Sequence, residues 1–118
     1  MSTLRVNTIQ DTAGSGSPAI NGLARAWVNF NGTGTVAIRA ASNVSSITDN
    51  GTGLYTLNFT TALTDSNYSA TFNADDNSGN NPHFITFRSG TTSTLAIGTW
   101  QSAVGRVDIA NISVAIFR

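Results

Sequence analysis

Apolar residues in this chain recur at every second position, in short runs separated by turn residues. In "LYTLNF" (54–59), Tyr55, Leu57 and Phe59 share one side while Leu54, Thr56 and Asn58 share the other. "TVAIRA" sets Val36 and Ile38 against Ala37 and Arg39, and "NYSATFN" aligns Tyr68, Ala70 and Phe72. "HFITFR" puts Phe84 on one face and Ile85 with Phe87 on the other, and "ARAWVNF" and "STLAIGTW" read as further strands. A period of two belongs to strands, whereas a helix would repeat its apolar stripe every three to four residues. No segment offers such a stripe. In the closing "GRVDIANISVAIFR" the phase switches, with Val107 and Ile109 on one parity and Ile112, Val114 and Ile116 on the other. One extra residue would restore it, so a β-bulge or bend is predicted near Ala110 and Asn111. Seven or eight short strands predict an all-β fold, an antiparallel β-sandwich or jelly-roll-like knob over residues 23–118.

Composition points the same way. The 118 residues suit one domain with one core. Lysine and glutamate, both good helix formers, are absent, while 17 threonines, 13 serines and 13 asparagines favour strands and turns. Six arginines balance six aspartates for zero net charge, which argues against nucleic acid as a partner. The same neutrality favours contact between copies and hence a life in an assembly. Without cysteine there is neither a disulfide framework nor a thiolate metal site. No apolar run has membrane-spanning length and "MSTLRVNTIQ" lacks a secretory h-region, so the expectation is a protein made in the cytoplasm without membrane insertion.

Residues 1–22 differ from the rest. Leu4, Val6 and Ile9 alternate with polar neighbours, and "QDTAGSGSPAING" then reads as a Gly/Ser linker. Stretched out, this segment reaches on the order of 70 Å. It is expected to be an arm that pairs with a neighbouring subunit or a docking protein.

The tetrapeptide Asn-Gly-Thr-Gly occurs twice, at 31–34 and 50–53. A phosphate-binding loop would lead into a helix, but strand-like sequence follows both copies, and Asn-Gly between alternating runs is a hairpin signal. Both are predicted to be turns. Asp75, Asp76, Asn77 and Asn80 are rich in oxygen but do not match the spacing of a calcium loop. They are expected at a solvated hairpin tip that, with Asn81 and His83, contacts a glycan or protein. His83 is the only histidine and has no second base or thiolate nearby to complete a triad or a conventional metal site. No catalytic, metal or cofactor-binding residue is therefore assigned, and no enzyme activity is expected. Trp27 is expected in the core, and Trp100, between Thr99 and Gln101, is the candidate platform for sugar stacking.

"MSTLRVNTIQDTAGSGSPAING" resembles the opening of tail-fibre and related virion-surface proteins of tailed bacteriophages of the marine or cyanobacterial type. "ARAWVNFNGTGTVAIRAASNVSSITDNGTGLYTLNFTTALTDSNYSA" is similar to a segment near the ends of such proteins. The resemblance implies a virion structural protein, homotrimeric, with a β-rich knob and an N-terminal attachment portion. It implies a place on the virion surface, other virion proteins as partners, and host surface polysaccharide as the contact of a tail tip. It brings no catalytic residues. Longer fibres carry a shaft between anchor and tip, and no heptad or shaft repeat occurs here. Two forms follow: a short tail fibre or tip in host adhesion, or a decoration protein clamped to the capsid. A carbohydrate-binding module is the more remote alternative.

Overall fold

The computed structural model describes Ser2, Thr3, Arg5, residues 23–75 and residues 81–118. Leu4, Val6 and Ile9 of the expected arm, and Asp76, Asn77 and Asn80 of the expected tip, lie outside the described residues. Within them there is no helix, and the strands form two antiparallel sheets.

One sheet, A, has the order β2-β1-β9-β5, built from β1 (Ala24–Asn31), β2 (Ala37–Ser42), β5 (Ser69–Ala74) and β9 (Ile112–Phe117). The other, B, has the order β3-β4-β7-β6, from β3 (Val44–Gly51), β4 (Leu54–Phe59), β6 (His83–Gly90) and β7 (Thr94–Gln101). The two-residue β8 (Gly105–Arg106) pairs with β7. Both Asn-Gly-Thr-Gly copies turn hairpins, β1 into β2 and β3 into β4.

Alternation decides what lies between the sheets. Val28 and Phe30 of β1, Tyr55 and Leu57 of β4, Leu95 and Ile97 of β7, and Ile112, Val114 and Ile116 of β9 are all buried in one core. Phe30 meets Tyr55 edge-on, ring centres 5.3 Å apart, and Phe59 meets Tyr68 at 6.1 Å. Each such side chain contributes about 1.5–3 kcal/mol on burial, so the sandwich-like core dominates stability. Tyr68 spends its hydroxyl on the β6–β7 turn, donating toward Thr91 O and Thr94 O at 3.1 and 3.0 Å.

The phase switch has a clear cause. Residues 107–111 leave sheet B after β8 and cross to sheet A, with a bend at Ala110. Ile109 is buried during the crossing, and the opposite parity begins when β9 enters the other sheet between β1 and β5. Trp27 corrects the expectation that it lies in the core. Val28 and Phe30 hold the inward parity of β1, so Trp27 points outward and is 40% exposed.

Candidate functional site

The outward face of sheet B carries a row of three side chains that pairing sets side by side. Phe84 of β6 lies opposite Trp100 of β7, and Trp100 lies opposite Arg106 of β8. Phe84 is 50% exposed because it takes the parity opposite to Ile85, which packs on the core. Phe84, Thr86, Trp100, Gln101, Ser102 and Gly105 line an open groove of about 390 Å³.

Arg106 lies along this face. Its guanidinium carbon is 4.3 Å from the centre of the Trp100 ring, a cation–π contact worth about 0.5–2 kcal/mol. Gly98 makes room for it: a Cβ there would stand 2.6 Å from Arg106 Nη1, 3.1 Å from Thr86 Oγ1 and 3.4 Å from Arg88 Cδ. The Arg106 guanidinium and the aliphatic stem of Arg88 therefore pack over one position without a side chain. Arg106 Nη1 is buried and has no hydrogen-bond acceptor among the described residues. A donor left in that state costs roughly 1–3 kcal/mol.

Arg118 and Arg39 are engaged elsewhere. Arg118 pairs with Asp65 at 2.6 Å, which holds that carboxyl down at about 2, chiefly through the hydrogen bond. Arg39 donates to Ala110 O at 2.6 Å. Neither Arg88 nor Arg106 has a carboxylate partner among the described residues.

Trp100 thus stands in the groove, although half-buried, and of the two tryptophans Trp27 is the more exposed. His83 lies opposite Gln101, and its Nδ1 bonds the backbone carbonyl of Asp75, tying the end of β5 to the start of β6. Asp75 is held again by its amide, which donates to Asn111 O at 3.0 Å. Asn81 precedes Pro82, whose carbonyl accepts from Ser102 N at 3.4 Å, so the 81–83 stretch borders the groove. Sequence reasoning missed Phe84, Arg88 and Arg106. The outward parity of Phe84 was a usable signal; the approach of Arg106 to Trp100 depends on strand pairing and was not.

A second groove, about 360 Å³, crosses the outward face of sheet A between Trp27, Thr71, Asn73, Ser113 and Ala115. Within it Asn29 Nδ2 donates to Ser113 Oγ and to Asn111 Oδ1 beside the groove, both at 2.8 Å. In the interior, Tyr55 Oη donates toward Gly32 O and Asp108 Oδ1. Burial, then the bond to Asp108, raises the Tyr55 phenol well above its usual range. That pair joins the turn at Gly32 to the 107–111 crossing. Among the described residues no group of three or more His, Cys, Asp or Glu is placed to hold a metal.

The Phe84–Trp100 groove thus combines aromatic side chains with the hydroxyl or amide groups of Thr86, Gln101 and Ser102 in its lining. No family model, curated protein or solved structure matches the chain.

Proposed function

We propose that this chain is a non-enzymatic virion-surface protein of a tailed bacteriophage, a short homotrimeric tail fibre or tip that contributes to host-surface adhesion. In this reading residues 1–22 are the arm that docks on other virion proteins, and residues 23–118 form a jelly-roll-like knob. The observation that carries adhesion is the open groove between solvent-facing Phe84 and half-buried Trp100, with polar margins on a rigid sheet. The resemblance of the first 70 or so residues to tail-fibre proteins supports the virion setting.

A second reading, capsid decoration, draws on the other face. Trp27 stands among small side chains on sheet A, a surface suited to lying against protein rather than holding a small ligand. Antibody labelling of intact particles separates the two. Label confined to the tail is the expected result, and label over the whole head would replace adhesion by decoration. Sedimentation of the purified chain is expected to give a trimer at micromolar concentration; a monomer there sinks the trimeric assembly.

A further inference from the structure

We infer that Asn50 is a self-modification site, whose side chain closes onto the Gly51 amide with help from Asp49 and then opens in water to isoaspartate. The inference is independent of the virion reading and rests on one tetrapeptide held in two different settings. Asparagine before glycine suits this ring closure, because no side chain shields the attacking nitrogen and both groups already share one chain. What the fold decides is whether that nitrogen is free to reach the side-chain carbon.

At Asn31 both reacting groups are tied down. Asn31 pairs with Ala37 in the ladder, and its Oδ1 accepts from Thr33 N at 2.9 Å and Thr33 Oγ1 at 2.7 Å. Gly32 is buried, and its N donates to Ile109 O at 2.9 Å. Attack there would break that bond and shift a residue packed against Tyr55. At Asn50 the setting reverses. Asp49 pairs with Tyr55 and Gly51 with Leu54, so Asn50 is the extra residue of a β-bulge and stands outside the ladder. Asn50, Gly51 and Thr52 are exposed, and nothing lies within 4 Å of a Cβ built on Gly51, so the backbone can turn without collision. The bond from Asn50 Nδ2 to Thr56 Oγ1, 2.7 Å, is itself exposed. Gly51 N donates to Asp49 Oδ1 at 3.0 Å, which places a carboxylate within proton-transfer reach of the nucleophile.

In the first step a bond forms from Gly51 N to Asn50 Cγ, and the Gly51 amide proton passes to Asp49. Asp49 returns it to Nδ2, the Cγ–Nδ2 bond breaks, and ammonia leaves a cyclic imide. Water then adds to either ring carbonyl and its proton goes to the ring nitrogen, opening the ring to isoaspartate or aspartate. Nothing is oxidised or reduced. Either product adds a negative charge to a chain whose net charge is zero, and isoaspartate also lengthens the main chain at the β3–β4 turn.

The test ages the full chain in warm, mildly alkaline heavy-oxygen water, then maps tryptic peptides by mass spectrometry after digestion in ordinary water. Arg25 and Arg39 place Asn31 and Asn50 in separate peptides, and also set apart Asn21–Gly22, which lies outside the described residues. Heavy oxygen and isoaspartate are expected at Asn50 while Asn31 keeps its amide, and in urea both should convert at comparable rates. Asn50→Gln should leave its peptide unlabelled, since the longer side chain does not close this ring. Asp49→Ala, at an exposed position, should slow labelling of Asn50, with circular dichroism checking that the chain stays folded. Equal labelling of Asn31 and Asn50 in the folded chain would overturn the inference. An Asn50 peptide that labels in urea but not in the folded chain would overturn it too. A rate unchanged or raised by Asp49→Ala would strike Asp49 from the step.

Discussion

The two Asn-Gly-Thr-Gly turns share four residues and bury opposite glycines. In the first, a Cβ on Gly32 would come within 2.5 Å of Tyr55 Oη and 2.8 Å of Ile109 O, whereas Gly34, at φ 60°, faces open space. In the second, Gly51 is open at φ 126°, and Gly53, at φ 65°, is the packed one, its Cβ position 2.6 Å from Thr99 O and 2.9 Å from Val107 N. Local bonds differ as well. Asn31 Oδ1 accepts from Thr33 N at 2.9 Å, while Asn50 reaches out to Thr56 Oγ1 at 2.7 Å. Both packed glycines nonetheless border the 107–109 crossing: Gly32 N donates to Ile109 O at 2.9 Å and Gly53 N to Asp108 Oδ1 at 2.8 Å. Tyr55 links them, with Gly32 O at 2.9 Å and Asp108 Oδ1 at 2.8 Å. A repeated turn sequence closes a hairpin in either place, but the strand crossing beside it decides which glycine must lack a side chain.

The contrast is broken most severely at Gly53. Alanine there must hold a left-handed φ and press against two backbone segments that cannot rotate away. The left-handed conformation and the overpacking together predict a loss of roughly 2–5 kcal/mol. Urea denaturation of Gly53→Ala measures it; a loss below that of Gly34→Ala would show that close approach to Thr99 and Val107 does not constrain the second turn.

Gly32→Ala comes next. Its φ is not in the left-handed region, so the cost is contact alone, with Tyr55 Oη able to swing but Ile109 O fixed in the crossing. Roughly 1–3 kcal/mol is expected by the same denaturation. Adding Tyr55→Phe should recover part of that loss, since it removes the atom nearest the new methyl; strictly additive losses would place the clash elsewhere.

How far this contrast could be read beforehand depends on the range of the interactions. Burial of Tyr55, Leu57 and Phe59 follows from alternation within one strand, and both hairpins follow from Asn-Gly between two such runs. Parity also held the correct place for Trp27, but its apolar character outweighed its register and put it in the core. What could not be read is non-local. The insertion of β9 between β1 and β5, the transfer of residues 107–111 between sheets, and the setting of Arg106 over Trp100 need pairings that no local pattern encodes. Most of the fold was therefore legible, and of the candidate groove only Trp100 and its border at Asn81 and His83 were.

Alkali sharpens the link between the two turns. The folded Tyr55 phenol ionises well above the roughly pH 10 of an unfolded tyrosine, so its contribution is complete below pH 10. Above that, the unfolded chain loses its proton first and stability declines with rising pH. Tyr55→Phe should cost roughly 1–2 kcal/mol at neutral pH for the lost hydrogen bonds. Its stability should then fall less steeply than that of the wild type between pH 10 and 11.5. Equal slopes in the two proteins would mean that Tyr55 is not held neutral by burial and Asp108.

The smallest effect is the most discriminating. At Gly34 nothing lies within 4 Å of an added Cβ, so only the φ of 60° opposes a side chain. Gly34→Ala should cost about 1 kcal/mol, the ordinary penalty of an L-residue in the left-handed region. Asparagine tolerates that region far better, so Gly34→Asn should stand close to the wild type. At Gly53 the φ is nearly the same, 65°, but the space is filled. Gly53→Asn should therefore be as damaging as Gly53→Ala, because relief of backbone strain does nothing for a clash with Thr99 and Val107. Thermal melts of these four variants separate conformation from packing at two copies of one tetrapeptide. If asparagine rescued both positions equally, backbone conformation alone would explain the glycines, and the difference between the turns would vanish.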